Sequence, residues 1–300
     1  MLDSDSQIND NCYQIDTQQW GLPRVGTCYV AKGEKIFLID SGTSQTTEKI
    51  LNTLQEFKIS PKIINAIVIT HEHYDHGAGA AELLKKMPTT IVLASEITAE
   101  ILRDPEKVLE ASKEYYGEAA GLVSPFPPVK TVQVVEEGDM IDLGEEISLE
   151  VVALPGHTPG GIGLFESKTK TLFAGDAVCN YNEQLDFCLP PSFPPLFDYE
   201  AYLESLEKIL GYDFKYLCMG HFGTLKQPKA KKVVKKAAET AKEWKKIIVD
   251  VYGKTKSVDK VYNVLLEKYG VDEPIKKYME LVRKMLINQL ITGYAISLKL

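Results

Sequence analysis

All five histidines of this 300-residue chain fall in three short motifs. These motifs are HEHYDH at residues 71–76, GHTPGG at residues 156–161 and GHFG at residues 220–223. Imidazole is the commonest side-chain ligand of transition metals, and several histidines within six residues give the density of a coordination site. Because no histidine lies outside these motifs, the sequence predicts a fold that brings three distant segments to one metal site.

Strand-like runs precede three of the candidate ligands. The apolar, β-branched run INAIVIT (residues 64–70) is typical of a buried strand and ends just before His71. The run TLFAG leads to Asp176, and residues 214–219 lead to His221. A carboxylate at a strand end offers two oxygens, which can bridge two cations. We therefore expect metal ligands to begin where strands stop.

The spacing within HEHYDH predicts two cations. His71 and His73 are two residues apart and can point the same way from an extended turn, whereas the adjacent side chains of Asp75 and His76 are expected to diverge. One cation would take the nitrogens of the first pair, and the other would take the carboxylate and nitrogen of the second. His157, in a turn bracketed by proline and glycine, would add a third nitrogen to the first cation.

The order HxHxDH, GHTPG, GD and GH resembles the metallo-β-lactamase superfamily over roughly residues 11–224. The resemblance implies an α/β fold of the αββα sandwich type. It also identifies the segment IDSG (residues 39–42) with an early strand-end motif that turns beneath the site, where Asp40 is a candidate to support a ligand. The implied ligands are His71, His73 and His157 on one cation, Asp75, His76 and His221 on the other, and Asp176 between them.

The same resemblance implies a metal-dependent hydrolase. Two close divalent cations lower the pKa of a bridging water, and the resulting hydroxide would attack a carboxylic ester, lactone, thioester or amide. The catalytic candidates are Asp75 and Asp176, whose carboxylates would hold this hydroxide and accept its proton. Nitrogen and oxygen ligands without thiolate suit zinc as the first choice, with iron or manganese as alternatives.

Other members of the superfamily remain alternatives. Acyl-homoserine lactonases place a tyrosine three residues after the bridging aspartate, where this chain has Cys179, and the basic cluster expected for a glyoxalase II thioesterase is not found. Flavodiiron oxidoreductases use glutamate in place of the second histidine, which is His73 here. Persulfide dioxygenases, which bind a single iron, resemble the first motif and give the alternative function of a mononuclear-iron oxidoreductase.

Composition and charge limit the classes of partner that we expect this chain to bind. With 44% hydrophobic residues the chain can bury a large core, and its net charge of −8 disfavours nucleic acid as a partner. The sequence lacks an apolar run of membrane-spanning length, and the first residues lack the pattern of a signal peptide. Five cysteines without a CxxC pair fit reduced thiols. We expect a cytoplasmic enzyme with a small-molecule substrate, no nucleic-acid or membrane partner, and a homodimer as an alternative to a monomer.

Alternating strand and helix patterns predict a catalytic domain at residues 1–225 and a helical extension at residues 226–300. The predicted helices of the first part cover residues 46–57, 78–86, 97–120 and 199–210. In the extension, Ser257 and Gly270 are expected to cap the second of three amphipathic helices.

Two segments rich in proline and aromatic residues, 124–129 and 189–198, could wall a substrate cleft. The candidate substrate residues are Tyr181, Phe187, Phe193 and Phe197. The alternative is a surface loop that these aromatic side chains only anchor.

Overall fold

The computed structural model describes residues 1–2, 4–106, 108–110, 113, 125–276 and 280–300. The chain forms two compact units. The first comprises Met1–Ala153, Gly160–Gly175 and Asp213–Ala230, and the second comprises Leu154–Pro159, Asp176–Tyr212 and Lys231–Leu300. The division into domains at residues 1–225 and 226–300 stays a prediction.

The first unit contains a seven-stranded mixed sheet. Strands that are neighbours in this sheet are also consecutive in the sequence. The pairs from β1 to β4 are antiparallel, and the pairs from β4 to β7 are parallel. The strands are β1 (Ser6–Asn9), β2 (Cys12–Asp16), β3 (Thr27–Lys32), β4 (Ile36–Ile39), β5 (Ile64–Val68), β6 (Ile91–Ala94) and β7 (Val132–Val134).

A six-stranded sheet in the same unit has the order β15-β14-β11-β10-β9-β8. Its pairs are antiparallel except for β11 and β14, which run parallel. The strands are β8 (Met140–Gly144), β9 (Ile147–Ala153), β10 (Ile162–Glu166), β11 (Thr171–Gly175), β14 (Tyr216–Met219) and β15 (Thr224–Lys226).

Strand periodicity explains how the two sheets pack. Along β4, Phe37 and Ile39 join a buried cluster that also contains Leu149 and Phe173 of the other sheet. The alternate residues of β4 face a second cluster, which includes side chains of three helices. One face of the first sheet therefore packs on the second sheet and the other face packs on helices. Helices α1 (Thr47–Glu56), α3 (Ala80–Leu84) and α4 (Glu96–Arg103) contribute to this second cluster, while α2 (Tyr74–Gly77) follows β5.

Parallel pairing places the residues that follow two neighbouring strands at a common edge of each sheet. Because β4 and β5 are parallel, Asp40 after β4 and Thr70 after β5 lie together, and the Thr70 amide donates to Asp40 Oδ1 at 2.8 Å. The parallel strands β11 and β14 likewise end together, where the Gly220 amide donates to the Gly175 carbonyl at 2.8 Å. Two strand pairs thus set the positions from which the candidate ligands follow.

The second unit is mainly helical. It contains a short hairpin of β12 (Asn180–Asn182) and β13 (Phe187–Leu189). Its helices are α5 (Tyr199–Gly211), α6 (Lys229–Thr255), α7 (Val258–Tyr269) and α8 (Glu280–Ser297), and α6 belongs to this unit from Lys231 onward. The Ser257 hydroxyl accepts from the Lys260 amide at the start of α7, and Gly270 ends this helix in the left-handed conformation. Both predicted caps are therefore confirmed.

Most predicted elements are present with ends shifted by one to three residues, as with α1, α3 and α5. The helix predicted over residues 97–120 is present as α4, and its later part falls largely outside the described residues, as does Ser124 of the first proline-rich segment. The strand-like runs at residues 64–70, 171–175 and 214–219 are present as β5, β11 and β14. Among the residues described by the structure, no helix combines the length and apolar character needed to cross a bilayer.

Candidate metal centre

The HEHYDH motif follows β5, and its last three residues lie in α2. The rings of His71 and His73 have centroids 5.0 Å apart, and those of His71 and His76 are 4.1 Å apart. His71 and His76 are buried, whereas His73 is half-buried. The three imidazoles of the motif therefore form one compact group beside the end of a buried strand.

Asp75, His76 and His221 come together within the first unit. One ligand atom from each lies within 4.8 Å of the other two, and Asp75 Oδ2 is 3.5 Å from His221 Nε2. The expected divergence of Asp75 and His76 is therefore wrong, because residues 74–77 form a helical turn. Successive side chains rotate there by about 100° instead of the 180° of an extended chain.

Asp40 fixes which ring nitrogen carries the proton in His76 and, through Thr70, in His71. Its carboxylate accepts from His76 Nδ1 at 2.9 Å and from the Thr70 hydroxyl at 3.0 Å. Since that hydroxyl donates its proton to Asp40, it must accept from His71 Nδ1, which lies 3.1 Å away. In this network both rings carry the proton on Nδ1, so Nε2 presents the lone pair that a cation needs.

A main-chain carbonyl does the same for His221. Its Nδ1 lies 3.0 Å from the carbonyl oxygen of Val25, which can only accept. The ring is therefore held as the Nδ1–H tautomer, with Nε2 directed toward the carboxylate of Asp75. Asp75 and His221 are about as close as two ligands of one ion would be.

His157 and Asp176 come together within the second unit. His157 Nδ1 donates to the Pro191 carbonyl at 2.5 Å, and its Nε2 lies 3.5 Å from Asp176 Oδ2. Both side chains are buried. The same tautomer is therefore set here by another carbonyl, and the unit presents one imidazole nitrogen beside one carboxylate.

The IDSG segment supports the turn that carries the ligands. Asp40 has a left-handed backbone with φ of 61°, and both the amide and the hydroxyl of Ser41 donate to the His76 carbonyl at 2.8 Å. At Gly79, an added Cβ would lie 2.1 Å from the Ser41 carbonyl oxygen. The close approach of these two segments therefore requires glycine at position 79.

The donor set suits a divalent transition metal. Imidazole nitrogens with fixed tautomers and carboxylate oxygens, without thiolate, are the ligands that zinc, iron and manganese accept in proteins. The cluster of Asp75, His76 and His221 supplies three such atoms within 4.8 Å, a spacing that a single cation can span. The residues present therefore fit a metal ion.

The candidate substrate residues all lie in the second unit but in different surroundings. Phe193 is half-buried, with its ring 6.5 Å from that of His157, whereas Phe197 is buried against Tyr202 and Tyr294. The other two lie at the hairpin, where the Tyr181 hydroxyl donates to Asp186 and Phe187 packs 6.1 Å from Tyr269. Substrate contact by the four side chains stays a prediction.

Cys179, which replaces the tyrosine of lactonases, is buried. Burial, together with the neighbouring thiol of Cys188, raises its pKa well above the usual range. This environment favours a neutral packing side chain over a reactive thiolate.

Several supporting groups have no counterpart in the sequence predictions. Glu72, inside the first motif, is buried and accepts from the Gly160 amide at 3.3 Å and from Thr98 Oγ1 at 3.2 Å. The carbonyls of Val25 and Pro191 carry no side-chain signature at all. Asp40 is predicted from the IDSG segment; of the groups that are not predicted, Thr70 offers a usable signal, because it is a polar residue that closes an apolar run next to a histidine.

Sequence comparison places these features among known proteins. The profile described as "Metallo-beta-lactamase superfamily" matches residues 21–221. "Putative diflavin flavoprotein A 2" of Nostoc sp. is 28% identical over 194 residues, which are 64% of this chain and 27% of that protein. "Probable metallo-hydrolase YflN" of Bacillus subtilis is 29% identical over 208 residues, which are 61% of this chain and 74% of that protein. The chain thus spans about a quarter of the first relative and three quarters of the second.

A solved structure shows the same fold. The archaeal metallo-beta-lactamase superfamily protein ST1585 from Sulfolobus tokodaii superposes with a TM-score of 0.68. The superposition covers 97% of this chain and 99% of that one, at 20% sequence identity. The predicted fold class, an α/β arrangement of mixed sheets and helices, is confirmed.

Proposed function

Because this chain belongs to the metallo-beta-lactamase superfamily, we propose that it is a metal-dependent hydrolase of a small molecule. The substrate class is a carboxylic ester, lactone, thioester or amide. The observation that carries the proposal is the cluster of Asp75, His76 and His221, whose ligand atoms lie within 4.8 Å of one another. The likeness to a relative named as a metallo-hydrolase supports the same class of chemistry.

The proposed centre is dinuclear and takes zinc as the first choice, with iron or manganese as alternatives. Its basis is the order of the sequence motifs together with the tautomers set by Asp40, Thr70 and two carbonyls. The proposed ligands are Asp75, His76 and His221 for one cation, His71, His73 and His157 for the other, and Asp176 for both.

Bound divalent cations would supply the acidity that makes hydroxide available from water near neutral pH. The chain contributes the orientation of that water and a base for its proton. Asp75, which is half-buried, is the proposed proton acceptor and holds the attacking water in line together with Asp176. Asp40 is unsuited to this role, because Oδ1 accepts from the Thr70 amide and Oδ2 from both the Thr70 hydroxyl and His76.

The decisive experiment combines metal quantification with a substrate panel. Metal content is measured on purified protein, and hydrolysis of lactones, esters, thioesters, amides and phosphodiesters is then compared before and after chelation. We expect two zinc ions per chain and turnover that chelation abolishes and zinc restores. The variants Asp75→Ala and His71→Ala should lose turnover while unfolding cooperatively, and undiminished turnover in both would eliminate the assignment.

A matched control is Asp142→Ala. Asp142 is an exposed carboxylate whose ion-pair partner is Lys35 at 3.5 Å. The carboxylate also accepts from the Gly144 amide at 2.9 Å, and an exposed ion pair of this kind is screened by solvent and contributes little to stability. Turnover and metal content of this variant should match those of the unaltered chain.

A second candidate function is oxidoreductase chemistry at iron. The observation that favours it is the likeness to "Putative diflavin flavoprotein A 2", although the chain spans only 27% of that protein. His73 stands where flavodiiron proteins have glutamate, so a mononuclear-iron oxygenase of the persulfide dioxygenase kind is the form to test. One iron per chain together with persulfide-dependent oxygen consumption would establish this candidate and overturn the hydrolase proposal.

A further inference from the structure

Helix α6 concentrates positive charge in a chain that is acidic as a whole. It contains nine lysines and three acidic residues, which give a formal charge of +6 (nine minus three), whereas the whole chain carries −8. Interactions between exposed charges are screened beyond about 8 Å at physiological salt. A partner that approaches this helix therefore senses the charge of the helix rather than the net charge of the chain.

The periodicity of α6 separates a buried face from a basic one. Trp244 and Ile248 are buried, together with Ala237 and Ala241 on the same side of the helix. The opposite side, here called the basic face, consists of exposed residues that recur every three or four positions: Lys232, Lys235, Glu239, Lys242, Lys246 and Val249. At a rise of about 1.5 Å per residue, this face is about 25 Å long.

The lysines of the basic face differ from their neighbours in their partners. Beside the face, Lys236 pairs with Asp186, and the ammonium of Lys245 lies 2.8 Å from a carboxylate oxygen of Glu200. Within the described ranges of the chain, neither an ion pair nor a hydrogen bond is formed by the ammonium groups of Lys232, Lys235, Lys242 and Lys246. Lys242 and Lys246, one helical turn apart, repel each other, and an anionic partner relieves this repulsion.

A groove of about 710 Å³ adjoins the basic face in the second unit. Its lining includes Tyr199, Lys242, Lys246 and Val249. Val249 is 45% exposed, and within α6, which the structure describes throughout, it is the one large hydrophobic side chain that is exposed. The volume lies in the range of sites that hold a small ligand or a few side chains. The groove therefore places an apolar contact beside the ammonium groups of two lysines of the basic face.

We propose that the basic face of α6 is a docking surface for an acidic segment of another polypeptide. Carboxylates of the segment pair with Lys242 and Lys246, and one apolar side chain of the segment contacts Val249 in the groove. About eight residues of extended chain span the face, since an extended chain advances about 3.3 Å per residue. The inference goes beyond the proposed hydrolase function, because none of these side chains is a candidate metal ligand.

Two other anionic partners fit the basic face less well. Amphipathic helices bind a bilayer by burying their apolar side chains in it, whereas Trp244 and Ile248 of α6 are buried in the protein. Surfaces that bind single-stranded nucleic acid stack bases on aromatic side chains and use arginine, and the basic face contains neither. Glu239 lies within the face and repels a continuous anionic surface, whereas a polypeptide can place a neutral residue there.

The binding test uses the full chain and a defined peptide. The probe is a fluorescein-labelled nonapeptide with four glutamates on each side of a central leucine, and fluorescence anisotropy gives its affinity. We expect saturable binding at about 50 mM salt that weakens about 5-fold or more at about 300 mM, because exposed ion pairs are screened. Lys242→Gln/Lys246→Gln should weaken binding about 5-fold or more, since two ion pairs are lost.

The matched control makes the same change of net charge elsewhere. Lys62 and Lys86 are exposed lysines of the first unit, and neither side chain has an ion pair among the described residues. Lys62→Gln/Lys86→Gln should alter the affinity less than about 2-fold. Equal weakening by the two double variants would overturn the inference, because it would show a response to net charge alone. Unchanged affinity in Lys242→Gln/Lys246→Gln would refute it as well.

Val249→Ser tests the groove. A second peptide, with serine in place of leucine, removes the apolar side chain from the probe. The unaltered chain should bind the leucine peptide about 3-fold or more tightly than the serine peptide, because the contact with Val249 buries apolar surface. Val249→Ser should remove this preference. Equal binding of both peptides by the unaltered chain, or a preference that persists in Val249→Ser, would contradict the role of the groove.

The other anionic partners are tested beside the peptide. Co-sedimentation with vesicles of phosphatidylcholine and phosphatidylserine, and anisotropy of a labelled oligodeoxythymidine, give the affinities for a bilayer and for single-stranded DNA. We expect neither to be bound as tightly as the leucine peptide. Tighter binding of either one, lost in Lys242→Gln/Lys246→Gln, would rule out the acidic polypeptide as the partner. Binding is measured without turnover, so failure of the proposed hydrolase function leaves this result unaffected.

Discussion

Asp40 accepts a 2.9 Å hydrogen bond from Nδ1 of His76, a residue 36 positions later in the chain. The carboxylate fixes the ring proton on Nδ1 and so prepares Nε2 as a ligand. Asp40 also accepts from Thr70, whose hydroxyl accepts from His71. One carboxylate that is not itself a proposed ligand thus orients two imidazoles that are.

Asp40→Asn should therefore weaken metal binding. An asparagine can keep its oxygen toward the Thr70 amide but then places an NH₂ group against His76 Nδ1, which favours the opposite tautomer. We expect metal affinity to fall about 10- to 100-fold. Competition with a chromophoric chelator measures the affinity. Asp142→Asn, at an exposed carboxylate, is the control, and equal affinities in the two variants would contradict the role of Asp40.

Gly175→Ala should also disturb the ligands without touching them. A Cβ at this position would lie 2.7 Å from Thr70 Oγ1, and φ of +49° disfavours any side chain. We expect weaker metal binding and a loss of stability of about 1 kcal/mol or more. Gly211→Ala, where an added Cβ meets nothing within 4 Å, is the control. Chemical unfolding and metal titration of both variants decide the outcome, and identical behaviour would refute the prediction.

The sequence predicts an element of this fold where the signal is local and long enough to recognise. The caps of α7 at Ser257 and Gly270 are local, and pattern alone identifies both. Short strands such as β12 and β13 give too few residues for a period of two to emerge.

In the candidate site, the sequence predicts the side chains of the motifs but not the groups that support them. Motif order predicts the candidate ligands, because the chemistry requires particular side chains at particular spacings. Glu72 is beyond such reasoning, since its partner Gly160 is 88 positions away. The carbonyl acceptors of His157 and His221 are equally hidden, because every residue has a carbonyl group.

Because its cysteine thiols are buried, we expect the protein to lose folding stability at alkaline pH. Burial raises the pKa of Cys12 to about 12, with Glu166 adding to the shift, and burial raises the pKa of Cys28 well above its usual range. Above pH of about 8.5 the unfolded chain releases these protons and the folded chain retains them, so stability falls as pH rises. Each thiol contributes a slope of up to about 1.4 kcal/mol per pH unit.

Denaturant unfolding at pH 7.5, 9 and 10 measures this slope. Cys12→Ala should reduce the slope even though it also lowers stability at pH 7.5, because one titrating group is removed. In the native state the thiols should react slowly with a disulfide reagent, since all five cysteines are buried. Rapid labelling of several thiols at pH 7.5 would contradict this description of their surroundings.

Gly270→Ala should destabilise the second unit through the backbone alone. The residue ends α7 with φ of 57°, and the nearest atom to an added Cβ is Glu273 Cγ at 3.8 Å. The expected cost is about 1 kcal/mol. Gly253→Ala, inside α6 with nothing within 4 Å of the added Cβ, should instead stabilise by up to about 1 kcal/mol. Thermal unfolding that moves the same way in both variants would exclude this explanation.

The carbonyls of Val25 and Pro191 hold two imidazoles through the main chain. Selection can therefore exchange the side chains around these histidines, as lineages adapt to new substrates, without losing the proton placement that a cation requires. The orientation of His76 has no such freedom, because it depends on the side chain of Asp40. Substitutions at positions 25 and 191, both buried, should accordingly be restricted by packing alone, whereas position 40 should also be restricted by the proton placement that its carboxylate imposes.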